Sequence, residues 1–262
     1  MYKQYTLRNG GTDTTIGGSS AEHWSGVWRD LKFSSERQVA TLARTPQWKA
    51  IQKVVQPGWK ILEAGCGLGS WVRFFASQGM NPVGLDYSVE TIERLRSEFP
   101  SLTWRVGDIR DLPIEDESFD ALVSWGVIEH FEEGPEAALA ELTRVLRPNG
   151  YAFLTVPWLS EFRLRHGYSN GGDNLAQFSP EDDVEFAQYF MTKHELIDFV
   201  EGAGMFPQVV LPSSIHAKSL IPPRFRARFP MGTKFFDRIV SPILPKDVIA
   251  SMILVVARKF DY

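Results

Sequence analysis

Short apolar runs alternate with longer segments of helical periodicity along most of the 262-residue chain. Apolar runs bounded by Gly, Pro or polar residues are typical of buried strands, whereas apolar positions at i, i+3 and i+4 predict amphipathic helices. The predicted strands lie at residues 60–64, 82–85, 102–106, 119–124, 151–157, 206–211 and 251–257. Because helical segments separate most of these strands, the pattern predicts an α/β fold with a mostly parallel sheet covered on both faces.

The first part of the chain precedes this alternation. Residues 1–20 are rich in Gly, Ser and Thr, which is typical of a loose tail or of a segment that a ligand orders. Apolar residues at helical intervals in residues 21–55 predict two or three helices. We therefore expect a flexible tail and a helical lid segment in residues 1–57, followed by the main domain in residues 58–262.

Two insertions interrupt the strand order, at residues 158–190 and 214–247. Loops of this length in a compact domain are usually lids or binding elements, and both follow the carboxyl end of a predicted strand. Three arginines of the second insertion occupy alternate positions and would share one side of an extended segment: Arg224, Arg226 and Arg228. This spacing predicts either a clamp for an anionic acceptor group or a solvated basic loop.

Composition limits the class of partner and the location. A hydrophobic content of 44% is enough for one large core. The formal net charge of −4 offers no basic field for nucleic acid, and the single cysteine excludes an intramolecular disulfide. The sequence contains no zinc-ligand spacing, no signal-peptide pattern and no apolar run long enough to span a bilayer. We expect an unprocessed cytoplasmic protein without a bound metal or a nucleic-acid partner, and peripheral contact with a membrane surface stays open.

A glycine-rich turn follows the first predicted strand, with the sequence Glu63-x-Gly65-x-Gly67-x-Gly69. Glycine tolerates positive φ angles and lets backbone N–H groups approach a ligand, and the following helix directs its positive end to the same place. The dinucleotide fingerprint has Gly or Ala as its third small residue, where this chain has Ser70. The turn therefore predicts a nucleotide-type cofactor site of a different spacing.

Asp86 ends the second predicted strand, about 20 positions beyond the glycine turn. An acid at this place binds ribose hydroxyls in α/β nucleotide folds. The role is common to nicotinamide and S-adenosylmethionine enzymes, so Asp86 supports the site without identifying the cofactor.

Positions 63–69, Asp86 and the segment 107–120 (G-D-I-R-D-L-P-I-E-D-E-S-F-D) resemble the class I S-adenosylmethionine-dependent methyltransferases, in particular their small-molecule, type 11-like branch. The resemblance implies a Rossmann-like sheet of seven strands, with the last strand antiparallel beside the sixth. It also implies that the glycine loop holds the methionyl part of the cofactor, and that Asp108 and Ile109 meet the adenine. The cofactor-binding candidates are Glu63, Gly65, Cys66, Gly67, Gly69, Asp86, Tyr87, Asp108, Ile109 and Trp125.

His130 follows the fourth predicted strand, at the sheet edge where open α/β sheets bind their ligands. A histidine with a pKa near neutrality suits proton removal from a hydroxyl group. The alternative is that His130 braces the loop through a hydrogen bond. His130 is therefore the candidate catalytic residue, with both roles open.

Three functions are compatible with these residues. The resemblance implies a methyltransferase that transfers a methyl group from S-adenosylmethionine to oxygen, nitrogen or carbon of a small or lipid-like acceptor. The acceptor would be amphipathic, and anionic if the arginines bind it. The first alternative is an NAD(P)-dependent oxidoreductase or epimerase, which Ser70 disfavours. The second is a catalytically silent methyltransferase-like binding module, which the intact motif residues disfavour.

Overall fold

A sheet of seven strands forms the centre of the structure, a computed structural model that describes residues 1–7, 20–165, 172–177, 179–215 and 245–261. In chain order the strands are β1 (Tyr2–Leu7), β2 (Lys60–Ala64), β3 (Asn81–Asp86), β4 (Thr103–Val106), β5 (Phe119–Trp125), β6 (Leu146–Pro157), β7 (Val184–Phe190), β8 (Met205–Ile215) and β9 (Ala250–Lys259). The order along the sheet is β4-β3-β2-β5-β6-β9-β8. Only β9 runs antiparallel to its neighbours within this described sheet. The predicted seven-stranded sheet with an antiparallel last strand is confirmed.

Helices connect the strands and cover both faces of the sheet. In chain order they are α1 (Ala21–Arg29), α2 (Glu36–Ala40), α3 (Pro46–Ile51), α4 (Ser70–Ser77), α5 (Val89–Glu98), α6 (Glu136–Val145), α7 (Glu161–Arg165), α8 (Lys193–Gly202) and α9 (Lys246–Ile249). Local sequence fixes several starts: Ser88 caps α5 by accepting a hydrogen bond from the Thr91 N–H, and Thr192 and Glu195 form a capping box at α8.

Neighbouring residues of the central strands pack into two separate cores. On β2, Leu62 belongs to the core covered by α6 and α8, whereas Ile61 belongs to the core covered by α3 and α4. Both side chains are fully buried, because a sheet with helices on both faces leaves its inner strands no solvent-facing side. This burial explains why β2 reads as a continuous apolar run.

The strand order reverses between β2 and β5. From β2 the chain proceeds to β3 and β4 on one side, and from β5 to β6 on the other. Connections that leave the two carboxyl ends in opposite directions open a crevice, and ligands of open α/β sheets bind there. The glycine turn follows β2, and His130 lies in a short 3₁₀ turn (Ile128–His130) after β5, so both reach this crevice.

Strand β1 departs from the loose tail expected for residues 1–20. It pairs antiparallel with β7 in a separate two-stranded sheet. Tyr2 contacts Phe190 edge-on, with ring centroids 6.2 Å apart, and Tyr5 contacts Phe186 in the same way at 6.0 Å. The two tyrosines are an odd number of positions apart, so the segment lacks the period-two alternation that identifies a half-buried strand.

The two insertions are described to different extents. The first contributes α7 and β7. Residues 216–244 lie outside the described part of the chain, and the arginine clamp, which falls among them, stays a prediction. None of the helices in the described ranges combines the length and the apolarity needed to cross a bilayer.

Candidate active site

A cavity of about 550 Å³ occupies the crevice at the carboxyl ends of β2 and β5. Ten of the eleven candidate site residues line it: Glu63, Gly65, Cys66, Gly67, Asp86, Tyr87, Asp108, Ile109, Trp125 and His130. They come from four strand ends that are far apart in sequence, and the parallel sheet brings them to one edge. Gly69 is the candidate that does not line the cavity.

The glycine turn has the backbone conformation that its sequence predicts. Gly65 and Gly67 have φ angles of 80° and 48°, in the region that side chains disfavour. A Cβ atom at Gly65 would lie 2.5 Å from a Val127 methyl group, and one at Gly67 would lie 3.1 Å from the Trp28 ring. Glycine is therefore required at both positions for the loop to pass this closely beneath Val127 and Trp28.

Gly69 packs closely against buried side chains, and its cofactor contact stays a prediction. It precedes α4 with a φ angle of 68°, and a Cβ atom there would lie 2.5 Å from the Trp104 ring and 3.0 Å from Leu95. These neighbours belong to the small core beneath α5, away from the cavity. Gly69 thus permits close packing of α4, and the cavity lining gives no support for its predicted cofactor contact.

Asp86 ties the end of β3 to the glycine turn. One carboxylate oxygen accepts a hydrogen bond from the Gly67 N–H at 2.9 Å, and the other accepts one from the Ser88 N–H at 3.0 Å. Burial raises the pKa of Asp86, and the hydrogen bonds from Ser88 and Gly67 oppose that shift. Two backbone donors therefore fix the orientation of this carboxylate at the cavity wall.

Glu63 braces the first turn of α4 against β2. Its Oε2 accepts a hydrogen bond from the Val72 N–H at 3.0 Å. Burial raises the pKa of Glu63 well above its usual value, although the Val72 hydrogen bond opposes the rise. Burial also raises the pKa of the Cys66 thiol, so Cys66 stays uncharged beside the cavity.

Asp108 follows β4 and is held by Arg110. The Arg110 Nη2 atom lies 2.7 Å from Asp108 Oδ2, and the Arg110 backbone N–H donates to Oδ1 at 2.9 Å. Partial burial favours a higher pKa for Asp108, but the hydrogen bonds and charge of Arg110 prevail and lower it. Asp108 is therefore an ionised acceptor at neutral pH.

His130 has the bracing hydrogen bond that one of its two predicted roles requires. Its Nδ1 lies 2.7 Å from the carbonyl oxygen of Ala187, which is skipped in the pairing of β7 with β1. A carbonyl oxygen only accepts, so Nδ1 carries the proton and Nε2 is the acceptor. Burial lowers the pKa of His130 to about 4, far below the value that suits a base at neutral pH.

Helix α1 lies across the cavity. Its residues Trp24, Val27 and Trp28 line the cavity wall. The helix is attached to α5 by a 2.7 Å hydrogen bond between the hydroxyls of Ser25 and Ser88, and by an ion pair between Arg29 and Glu90. Among the described residues of the segment 1–57, those that line the cavity belong to this helix.

Several lining residues carry no signal in the sequence. Gln188 and Met252 come from β7 and β9, and only the fold brings them to the cavity. Glu129 precedes His130 and also lines the cavity, although it was not a predicted site residue.

The Tyr-x-x-x-Lys spacing of some nicotinamide enzymes occurs at Tyr189 and Lys193. The Tyr189 hydroxyl donates to the Glu132 carbonyl, however, and neither residue lines the cavity.

The sheet order, the glycine turn after β2 and the acid at the end of β3 define the fold of the class I S-adenosylmethionine-dependent methyltransferases. A family model described as a methyltransferase domain matches residues 62–154. This segment, which contains the glycine turn, Asp86, Asp108 and His130, is therefore a class I methyltransferase domain.

Two curated relatives show the same similarity. One, from Mycolicibacterium smegmatis, is described as a probable S-adenosylmethionine-dependent methyltransferase and is 29% identical over 66% of this chain and 65% of its own length. The other, malonyl-[acyl-carrier protein] O-methyltransferase of Pectobacterium atrosepticum, is 31% identical over 58% of this chain and 60% of its own length. The chain thus spans less than two thirds of the length of these relatives.

Among solved structures, the 1,6-didemethyltoxoflavin-N1-methyltransferase of Burkholderia thailandensis has a similar fold. The TM-score is 0.56 at 18% identity, over 92% of this chain and 87% of that one. That structure contains 1,6-didemethyltoxoflavin and S-adenosylhomocysteine. At this identity the similarity concerns the fold alone.

Proposed function

We propose that this protein is a methyltransferase that uses S-adenosylmethionine and acts on a small-molecule acceptor. The acidic lining of the cavity carries the proposal: four carboxyl side chains line it, of which burial raises the pKa of Glu63 and Glu129, and none of the described lining residues is Lys or Arg. S-adenosylmethionine carries a sulfonium and an ammonium group, both of which acidic side chains attract. The pyrophosphate of a nicotinamide dinucleotide needs free backbone N–H groups, whereas those of Gly65 and Gly67 already donate to the Leu85 carbonyl and to the Asp86 carboxylate.

Each part of the cofactor has a suitable binding group in this arrangement, either a side chain or the backbone. Asp86 would accept hydrogen bonds from the ribose hydroxyls, and Asp108 from the adenine amino group, while the backbone of Gly65 and Gly67 would hold the methionyl part. When bound, the cofactor supplies an electrophilic methyl group. The chain then has to orient the two reactants and exclude water, which suits a cavity covered by α1.

The acceptor is proposed to be small because two of the similar proteins named above have a small group in their printed substrate. Their names specify malonyl-[acyl-carrier protein] and 1,6-didemethyltoxoflavin, and they differ in the type of atom methylated. This range supports methyl transfer without selecting oxygen or nitrogen. A cytoplasmic location belongs to the same proposal, since a single unpaired cysteine suits a reducing compartment.

The Asp108→Ala variant tests the proposed orientation of the cofactor. We expect it to bind adenosine about tenfold more weakly, because a hydrogen bond to a charged acceptor contributes about 1.5–3 kcal/mol. Methionine should bind with unchanged affinity, since Asp108 would not contact it. Calorimetry with each fragment checks this, with Asp111→Ala, an exposed neighbouring acid, as the control. Equal losses for both fragments would assign Asp108 to folding.

The protonation of His130 separates its two predicted roles. We expect its imidazole to titrate near pH 4, because burial disfavours the charged form. Since the folded pKa lies below the unfolded value of about 6.5, the stability associated with His130 should decrease as the pH falls from about 6.5 towards 4. NMR titration, with His130→Gln for assignment, checks this. A midpoint near neutrality would restore the general-base role and contradict bracing as the main one.

A further inference from the structure

Glu129 is a buried acid with a carboxyl oxygen that no described residue satisfies. Its side chain lines the cavity from the 3₁₀ turn after β5 and is only 1% exposed. The Oε2 atom has no hydrogen-bond partner among the described residues. The Oε1 atom would lie 3.3 Å from a Cβ atom added at Gly126, so the carboxyl group packs directly against the glycine that follows β5.

This arrangement is unfavourable for an ionised carboxyl group. Burial raises the pKa of Glu129 to about 8, and a hydrogen bond from its own backbone N–H only partly opposes that rise. A carboxyl group that only braced the loop would accept hydrogen bonds from protein donors with both of its oxygens, as Asp86 does. An unpaired carboxyl group at a cavity wall instead suits a ligand that brings the missing donor.

The side chains around Glu129 indicate which other chemical groups such a ligand has. The Met252 methyl group would lie 3.5 Å from the same added Cβ atom at Gly126, so it lies beside Glu129. Trp24 and Trp125 also line the cavity, and Trp24 packs against His130 with ring centroids 4.9 Å apart. Aromatic faces and a thioether suit a flat apolar body, and aromatic faces also attract cations. No Lys or Arg among the described lining residues could receive an anion.

We propose that Glu129 is the residue that recognises the methyl acceptor, and that the acceptor is an amine on an apolar, aromatic body. Its ammonium or N–H group binds the Glu129 carboxylate, while its body lies against Trp24, Trp125 and Met252. The inference rests on the proposed function, because it assigns the second ligand of the same cavity. It replaces the anionic acceptor predicted from the arginines with a basic one.

Three probes of one shape test this assignment: 2-phenylethylamine, 2-phenylethanol and phenylacetate. Each is titrated calorimetrically into the full chain saturated with S-adenosylhomocysteine. We expect the amine to bind at least about tenfold more tightly than phenylacetate, in line with a charge-assisted hydrogen bond. In Glu129→Gln this preference should fall about tenfold, because the amide keeps the shape but loses the charge. The alcohol should change least.

The controls separate this inference from the proposed function. S-adenosylhomocysteine should bind the parent and Glu129→Gln equally, and Glu132→Gln, an exposed acid nearby, should keep the full amine preference. Phenylacetate binding as tightly as the amine would overturn the inference. The same holds if the Glu129→Gln substitution leaves the affinity for the amine unchanged, or if the amine does not bind at millimolar concentration. A weaker S-adenosylhomocysteine affinity in Glu129→Gln would assign Glu129 to the cofactor instead. Failure of the parent to bind S-adenosylhomocysteine would refute the proposed function itself.

Discussion

The Asp86→Ala variant is expected to bind S-adenosylmethionine at least about tenfold more weakly than the parent. Asp86 is 5% exposed at the end of β3, and both of its carboxylate oxygens are fixed by backbone donors. In the proposed site the remaining lone pairs accept hydrogen bonds from the ribose hydroxyls, and a charged acceptor makes each of these bonds stronger than a neutral one.

The same variant should also be less stable. Removing the carboxylate leaves the N–H groups of Gly67 and Ser88 without their partner, and each buried unsatisfied donor costs about 1–3 kcal/mol. Calorimetry with S-adenosylhomocysteine should therefore be done at a temperature where circular dichroism shows the variant folded. Glu98→Ala, an exposed acid on α5, is the matched control. An unchanged dissociation constant in folded Asp86→Ala would remove Asp86 from the cofactor site.

Gly69→Ala is expected to lower the free energy of unfolding by about 2–5 kcal/mol. About 1–2 kcal/mol comes from holding alanine in the left-handed conformation that Gly69 adopts, and about 1–3 kcal/mol from overpacking. The overpacking arises because the new Cβ would lie 2.5 Å from the Trp104 ring, which is buried and cannot move aside without disturbing Leu95.

Urea unfolding measures this cost directly. Gly202→Ala is the control, because Gly202 lies in helix α8 and a Cβ there would meet no atom within 4 Å. We expect the control to be as stable as the parent or slightly more so, since alanine favours helices. If Gly69→Ala unfolds at the same urea concentration as the parent, the close contact described between Gly69 and Trp104 is contradicted. Loss of cofactor affinity without loss of stability would return Gly69 to its predicted binding role.

Most of the strands that build the site are recognisable because they are buried on both faces, whereas the edge strand β4 is partly exposed. A strand such as β2 must then be apolar at consecutive positions, and the polar residues that follow it mark the sheet edge where ligands bind. Glu63, Asp86 and Asp108 all lie at such strand ends. The sequence therefore identified their positions without any knowledge of tertiary contacts.

Contacts between distant segments could not be derived in the same way. Strands β1 and β7 pair although they are far apart in sequence. Strand β7 carries Gln188, which lines the cavity, and Ala187, whose carbonyl oxygen contacts His130. Gly69 packs against Trp104, which lies on β4 and is distant from Gly69 in sequence. A glycine required for packing and one required for a ligand look identical in a motif.

Titration of the parent protein with S-adenosylhomocysteine and, separately, with NAD⁺ and NADH tests the cofactor assignment most directly. The acidic lining of the cavity, with no Lys or Arg among its described residues, predicts saturable binding of one S-adenosylhomocysteine per chain and no binding of either nicotinamide cofactor at the same concentration. Saturable binding of NAD⁺ or NADH, with none of S-adenosylhomocysteine, would contradict the account.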